Sequence, residues 1–369
     1  MPLRPDAATQ PEYRTDTLVI GAGQAGLAAA YHLQAAGVAC ILLEQAADIG
    51  QPWATRYDSL RLFSPAWASA LPGLPWPAPA GPYPTKDEAA AYLRLYAAHF
   101  DFEVHLQQRA VRLRGIGGSG FEVSTRAGTR YVARRVLICT GGYAAPKVPD
   151  WARALPPAVG QLHSSQYRRP AQLPAGPVAV MGSGNSALQI AADLAADGRP
   201  VYVAFDERTP AQPNNTLMWA FLEATGLLRA SRHGWLGSWL YRQPEPVVAG
   251  DLHRLRRFAN ARFIGRARAA AGASIEGEAA ATPPLAAVVW ATGFRPDYAW
   301  IELPVLGADG QPRHYRGLSE VPGLAFLGLP WLDSRGSALM GGAGRDAQRV
   351  VKALLRANYT VERKKGNPG

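Results

Sequence analysis

The chain has 369 residues, more than one average domain, and its 48% hydrophobic and 18% charged content excludes a disordered polymer. Its net charge of +11 comes from 34 arginines and only five lysines, scattered with no basic run interleaved with aromatics, which argues against a nucleic-acid partner. No stretch approaches the roughly 18 uninterrupted apolar residues of a membrane span, and the polar start Met1 to Asp16 lacks a signal-peptide layout, so a cytoplasmic protein without a membrane partner is expected.

In chain order, the first element is an apolar strand ending at Ile20, followed by Gly21-Ala22-Gly23-Gln24-Ala25-Gly26, an Ala-rich helix, a second strand Val38–Leu43 and Glu44. Each glycine has a physical task. Gly21 turns the chain out of the strand, Gly23 leaves no side chain between backbone and a pyrophosphate, and Gly26 lets the helix pack closely. The helix start offers unpaired N–H groups to the phosphates, and Glu44 stands where a ribose-binding acid is expected. Phe121–Thr125 and Arg130–Ile138, on either side of Ala127-Gly128, predict a β-meander ending in the buried strand Val136–Cys139 and the turn Thr140-Gly141. A Pro-rich stretch from Pro146 to Pro157 reads as an interdomain connection.

A second unit repeats the first: strand Val178–Met181, turn Gly182-Ser183-Gly184-Asn185-Ser186-Ala187, helix, strand Val201–Phe205, then Asp206 and Arg208. Alanine at the third position is a permitted variant. Asp206 favours a free ribose hydroxyl and Arg208 a 2′-phosphate, so the nicotinamide cofactor reads as NAD(P)H with a lean to NADH. Residues 210–270 are helical in pattern; the strand Ala287–Ala291 and turn Thr292-Gly293 then return the chain to the first domain, and Gly341–Lys365 reads as a glycine turn and an amphipathic helix. Cys40 and Cys139 are the only cysteines, far apart and in apolar strands, so no dithiol relay is available, and no metal site is expected.

The resulting fold class is α/β: two Rossmann-like dinucleotide-binding domains, the NAD(P)H-binding one (151–284) inserted in the FAD-binding one (1–150 and 285–369). Two cradles imply two dinucleotides, FAD at the first and NAD(P)H at the second.

Together with these elements, Gly50–Pro65, Tyr83–Glu88, Leu162–Tyr167, Trp290–Asp297, Phe326–Trp331 and Arg335–Gly342 resemble the flavin-containing monooxygenases, in their short bacterial branch. The resemblance places Trp53 and Arg56 beside the flavin ring and makes Gln51, with Leu339, Met340 and Gly341 before the last helix, cofactor-binding residues. Arg56 would hold negative charge on reduced flavin. The family signature survives at His163 but not at Pro157 and Val159, so His163 reads either as catalytic or as a hydrogen-bonded residue of the interdomain link. Phe63 stands where many members carry an asparagine; it reads either as an active-site substitution or as a core aromatic.

What the resemblance implies is an FAD-dependent monooxygenase using NAD(P)H and O₂. It would oxygenate a small-molecule substrate, a sulfide, an amine or a ketone, through a C4a-(hydro)peroxyflavin. Phe63 keeps open an NAD(P)H oxidase or reductase, and a non-catalytic redox-sensing flavoprotein is the third reading. A homodimer is left open.

Overall fold

The computed structural model describes residues 11–77, 83–117 and 120–365, with side chains described to residue 356; the polar start up to residue 10 lies outside them. Strand β1 (Glu12–Ile20), helix α1 (Gln24–Ala35) and strand β2 (Cys40–Leu43) form the first βαβ unit, β1 and β2 pairing in parallel from Thr17–Cys40 to Ile20–Leu43. Fully buried Ala28, Ala29 and Ala30, spread round the helix, keep α1 slim enough to pack between the sheet and the C-terminal helix.

The other side of β1 pairs in parallel with Arg130–Ile138, a nine-residue strand whose far edge serves two further partners. Its first half continues the antiparallel meander Ala110–Ile116 and Gly120–Thr125, turned at Gly128 with φ +83°. Its second half pairs with a short parallel strand, Leu324–Phe326, that the sequence reading did not single out. The C-terminal helix Gly342–Lys365 packs against α1 through buried Ala343, Ala347, Val350, Val351 and Leu354, the spacing of one helical face.

The second sheet is wholly parallel, in the spatial order Ala261–Phe263, Val201–Ala204, Val178–Met181, Ala287–Trp290, Gly160–His163. This corrects the expected division at residue 285. Ala287–Trp290 is an inner strand of the second sheet, buried along its whole length between Val178–Met181 and Gly160–His163, so the chain returns to the first sheet only after Trp290. The helical reading of 210–270 is also shortened. Helices Thr216–Thr225, Trp235–Tyr241 and Ala249–Arg256 are present, but Ala261–Phe263 is an edge strand and Ala267–Ala271 with Ser274–Gly277 a hairpin. Alanine and arginine carry little periodic signal there, and the strands form because they find sheet and hairpin partners.

The chain passes between the two sheets twice, and the two passages lie side by side. Ala145–Pro146 and Phe294–Arg295 pair antiparallel, beside the turns Thr140-Gly141 and Thr292-Gly293 with φ of +67° and +85° at their glycines.

Candidate functional site

The two glycine turns divide their labour in the same way. A Cβ on Gly21 would lie 2.6 Å from the Cys139 carbonyl oxygen, and one on Gly182 would lie 2.2 Å from that of Ala291. In each unit the first glycine therefore admits the neighbouring crossing strand as well as making the turn; φ is +108° and +141°. A Cβ on Gly23 or Gly184 would meet nothing within 4 Å, the open space a backbone-bound pyrophosphate requires. The third positions differ. A Cβ on Gly26 would collide with the Gly21 carbonyl oxygen at 1.8 Å, whereas Ala187 fits fully buried in the second unit.

Gln24 and Ala25 open α1 at the first cradle, as Asn185 and Ser186 open the helix Asn185–Ala196 at the second. Asn185 is tied elsewhere: its Oδ1 accepts the Val248 N–H at 2.8 Å. Glu44 is buried at the end of β2, where its carboxylate accepts the Ala22 N–H at 3.1 Å and the Ala46 N–H at 2.9 Å. The acid is thereby bound to the turn it serves. In the second unit Asp206 and Arg208, which the sequence left pulling in opposite directions, are paired. Arg208 donates from its backbone N–H, Nε and Nη2 to the Asp206 carboxylate, at 3.1, 2.9 and 3.0 Å. These bonds hold the Asp206 carboxyl below its usual range.

Gly50 takes φ +78° ahead of the short helix Gln51–Ala54; Gln51 Oε1 accepts the Ala47 N–H, and Trp53 packs on the first core. Arg56 lies against the paired crossings, its guanidinium 5.0 Å from the Phe294 ring centroid and 5.6 Å from that of Tyr143. No carboxylate lies within salt-bridge distance of it among the described residues. Burial pulls its pKa down, opposed by Tyr143 and Tyr57 and reinforced by Arg168.

His163 stands on the same cluster, its ring edge-on to Phe294 with centroids 4.8 Å apart. Its Nδ1 accepts the Ser165 N–H at 3.2 Å, so Nε2–H donates to the Gly293 carbonyl oxygen at 2.9 Å. Both ring nitrogens are thus engaged, and burial, with the Arg56 charge, lowers the pKa despite the Gly293 bond. Phe63 does not sit in the core: it is 41% exposed. Met340 is buried, Leu339 is partly buried, and a Cβ on Gly341 would meet the Ala68 carbonyl oxygen at 2.1 Å.

Sequence reasoning missed Tyr57. It is 3% exposed, packs in the second core and donates its hydroxyl to Gln189 Oε1 at 3.0 Å, tying the segment after Trp53 to the second nucleotide helix. Its only local signal was a tyrosine next to Arg56.

Residues 18–220 match the family described as pyridine nucleotide-disulphide oxidoreductase. The chain is 38% identical to a CzcO-like oxidoreductase of Geobacillus kaustophilus over 93% of this chain and 99% of that one. It is 33% identical to the probable indole-3-pyruvate monooxygenase YUCCA1 of Arabidopsis thaliana over 48% of this chain and 44% of that one. Among solved structures it resembles the flavin-containing monooxygenase of Stenotrophomonas maltophilia at TM-score 0.78 and 27% identity, over 93% of this chain and 98% of that one.

Proposed function

From a chain that belongs to the pyridine nucleotide-disulphide oxidoreductase family and is an FAD-dependent oxidoreductase of the flavin-monooxygenase type, we propose a monooxygenase that uses NAD(P)H and O₂ to oxygenate a small nucleophile or ketone. The observation that carries this reading is the pair of open cradles at Gly23 and Gly184, joined by two adjacent crossings on which Arg56 is stacked.

The residues fit the two dinucleotides. Gly21, Gly23 and Gly26 with the start of α1 would hold the FAD pyrophosphate and Glu44 its adenosine ribose; Gly182, Gly184 and Ala187 would hold that of NAD(P)H. When bound, FAD supplies hydride acceptance and oxygen activation. The protein's own part is positional and electrostatic. Arg56, without a carboxylate partner among the described residues, keeps its positive charge available to a reduced or oxygenated ring system. We assign His163 to positioning: its Nε2–H fixes the Gly293 turn, and its one lone pair, at Nδ1, is engaged by the Ser165 N–H. Tyr57 couples the flavin-side segment to the nicotinamide-side helix.

The pairing of Asp206 with Arg208 supports use of both cofactors with NADH preferred. The carboxylate can accept a ribose hydroxyl while still paired, whereas a 2′-phosphate must first part it from Arg208. The family's disulphide chemistry has no support here, because Cys40 and Cys139 are free and burial pushes both thiols up, Cys40 to about 11.

Phe63 favours a second reading. Its exposed ring offers no hydrogen bond where an amide could hold oxygen chemistry, which suits an NAD(P)H oxidase releasing peroxide. One experiment separates the two. Methyl phenyl sulfide is supplied with NADH and ¹⁸O₂, and labelled sulfoxide and hydrogen peroxide are both measured. Labelled sulfoxide is expected; peroxide equal to NADH consumed, with no labelled product from sulfide, amine or ketone panels, establishes the oxidase instead.

A further inference from the structure

A cavity of 610 Å³ lies outside both glycine cradles, between α1, the segment 67–72, the first turns of the C-terminal helix and the helix Thr216–Thr225 with the turn after it. Its size is that of a small-molecule site, on the order of 300–1,000 Å³. One wall is apolar and aromatic, made by Tyr31, Trp67, Leu71 and Pro72. A polar wall carries Arg229, Arg345, Gln348 and a single carboxylate, Glu223.

The charges on that wall do not balance. Glu223 is in contact with Arg229 and reaches Arg345 only at 3.9 Å, leaving two guanidinium groups to one carboxylate. His32 does not alter the count: its ring bonds the Gly344 carbonyl oxygen at 3.1 Å and burial lowers its pKa, so it is neutral near pH 7. The next acid along, Asp346, is taken by Arg349. Partial burial, and then the Arg229 charge, lower the Arg345 pKa against the opposing charge of Asp346, and the Arg345 side chain is 42% exposed, open to a ligand from solvent. Among the described residues, the Tyr31, Trp67, Arg345 and Gln348 side chains make no hydrogen bond within the protein, so four polar groups around one cavity have donors to offer.

We propose that this cavity binds a small organic carboxylate with a flat apolar or aromatic body, the carboxylate held by Arg345 and Arg229 and the body lying against Trp67, Leu71 and Pro72. A guanidinium presents a planar fork matched to a carboxylate, and an indole face suits a flat ring. The cavity shares Gly341 with the segment assigned to the cofactor before the last helix, so the site borders the proposed flavin position. Binding there requires neither nicotinamide cofactor nor turnover.

The test titrates the oxidised holoprotein, without NAD(P)H, with phenylacetate and with its neutral isostere phenylacetamide, by calorimetry at low salt. Phenylacetate is expected to bind at least ~10-fold more tightly than the amide, with an affinity that falls as salt rises. Arg345→Gln should weaken phenylacetate by ~10-fold or more while leaving flavin content and the affinity for NADH unchanged; Trp67→Ala should weaken acid and amide alike. Equal affinities for acid and amide, or an undiminished affinity in a folded, flavin-replete Arg345→Gln protein, would overturn the proposal. So would displacement of phenylacetate by NADH, which would place the probe in the nicotinamide cradle.

Discussion

Single residues in this protein act through what a neighbouring atom allows, and the glycines of the first cradle illustrate it. Gly23 faces open space and Gly26 faces the Gly21 carbonyl oxygen, so equivalent substitutions should fail in different ways. Gly23→Val is expected to fold with an ordinary thermal transition as apoprotein yet purify with little flavin, because only the phosphate loses its place. Gly26→Val should destabilise the fold itself by about 3 kcal/mol or more, read by chemical denaturation, since α1 must be pushed off β1. At the second cradle, Asp206→Asn removes the charge that repels a 2′-phosphate and frees Arg208 to receive one. The ratio of kcat/KM for NADPH over NADH should rise by about 10-fold, and Arg208→Gln should lower it. An unchanged ratio in both would remove this pair from cofactor choice.

A titration belongs to the same scale. His314 accepts the Gly317 N–H at Nδ1, and burial, aided by the electrostatic effect of the neighbouring Arg232 and His233, lowers its pKa to about 4. The unfolded chain therefore binds this proton more readily than the folded one. Stability is complete above the unfolded pKa of about 6.5 and is lost as the pH falls from there toward 4, by at most roughly 3 kcal/mol. His314→Gln, which still offers an acceptor oxygen, should flatten that part of the stability profile. A variant whose urea midpoint follows the same pH slope as the parent would assign the slope to other groups.

At the scale of elements, the helical excursion after the second cradle is fastened back to the first domain at one buried acid. Asp333 accepts the Ser231 hydroxyl at 2.7 Å and pairs with Arg316 and Arg349, which together keep its carboxyl below the usual range although burial opposes the charge. Ser231 and Ser334 also form an isolated antiparallel bridge, and Trp331 donates its indole N–H to Glu245 at 2.7 Å. Asp333→Asn removes the charge while leaving two arginines half buried, so a loss of about 3 kcal/mol is expected. Protection of the 216–241 amides from hydrogen exchange should fall more than protection of the strands. A uniform loss across the chain would mean that the acid stabilises the whole fold and does not fasten this excursion.

At the scale of the molecule, both βαβ units, their glycine turns and their acids were legible because the signal is local: an apolar strand, a turn needing positive φ, an alanine-rich helix and a second strand follow one another within about thirty residues. The strand Ala287–Trp290 was visible as a strand, but its sheet was not. An all-apolar run of four residues says only that it is buried, and whether it joins the first or the second sheet depends on partners more than a hundred residues away. Leu324–Phe326 was missed for a related reason, since three residues are too few to show a period and become a strand only by pairing with Arg130–Ile138.

The sequence by itself determined the two strand–glycine turn–helix units, the absence of a dithiol pair and the family, all properties of contiguous segments. Only the tertiary structure decided what remote residues do to one another. It paired Asp206 with Arg208 and engaged both nitrogens of His163. It laid Arg56 across two aromatic rings from the two crossings, and gathered Trp67, Arg229 and Arg345 around one cavity. Charge, burial and hydrogen-bond partners depend on through-space distance, and that distance is set by how the two sheets and their connections pack.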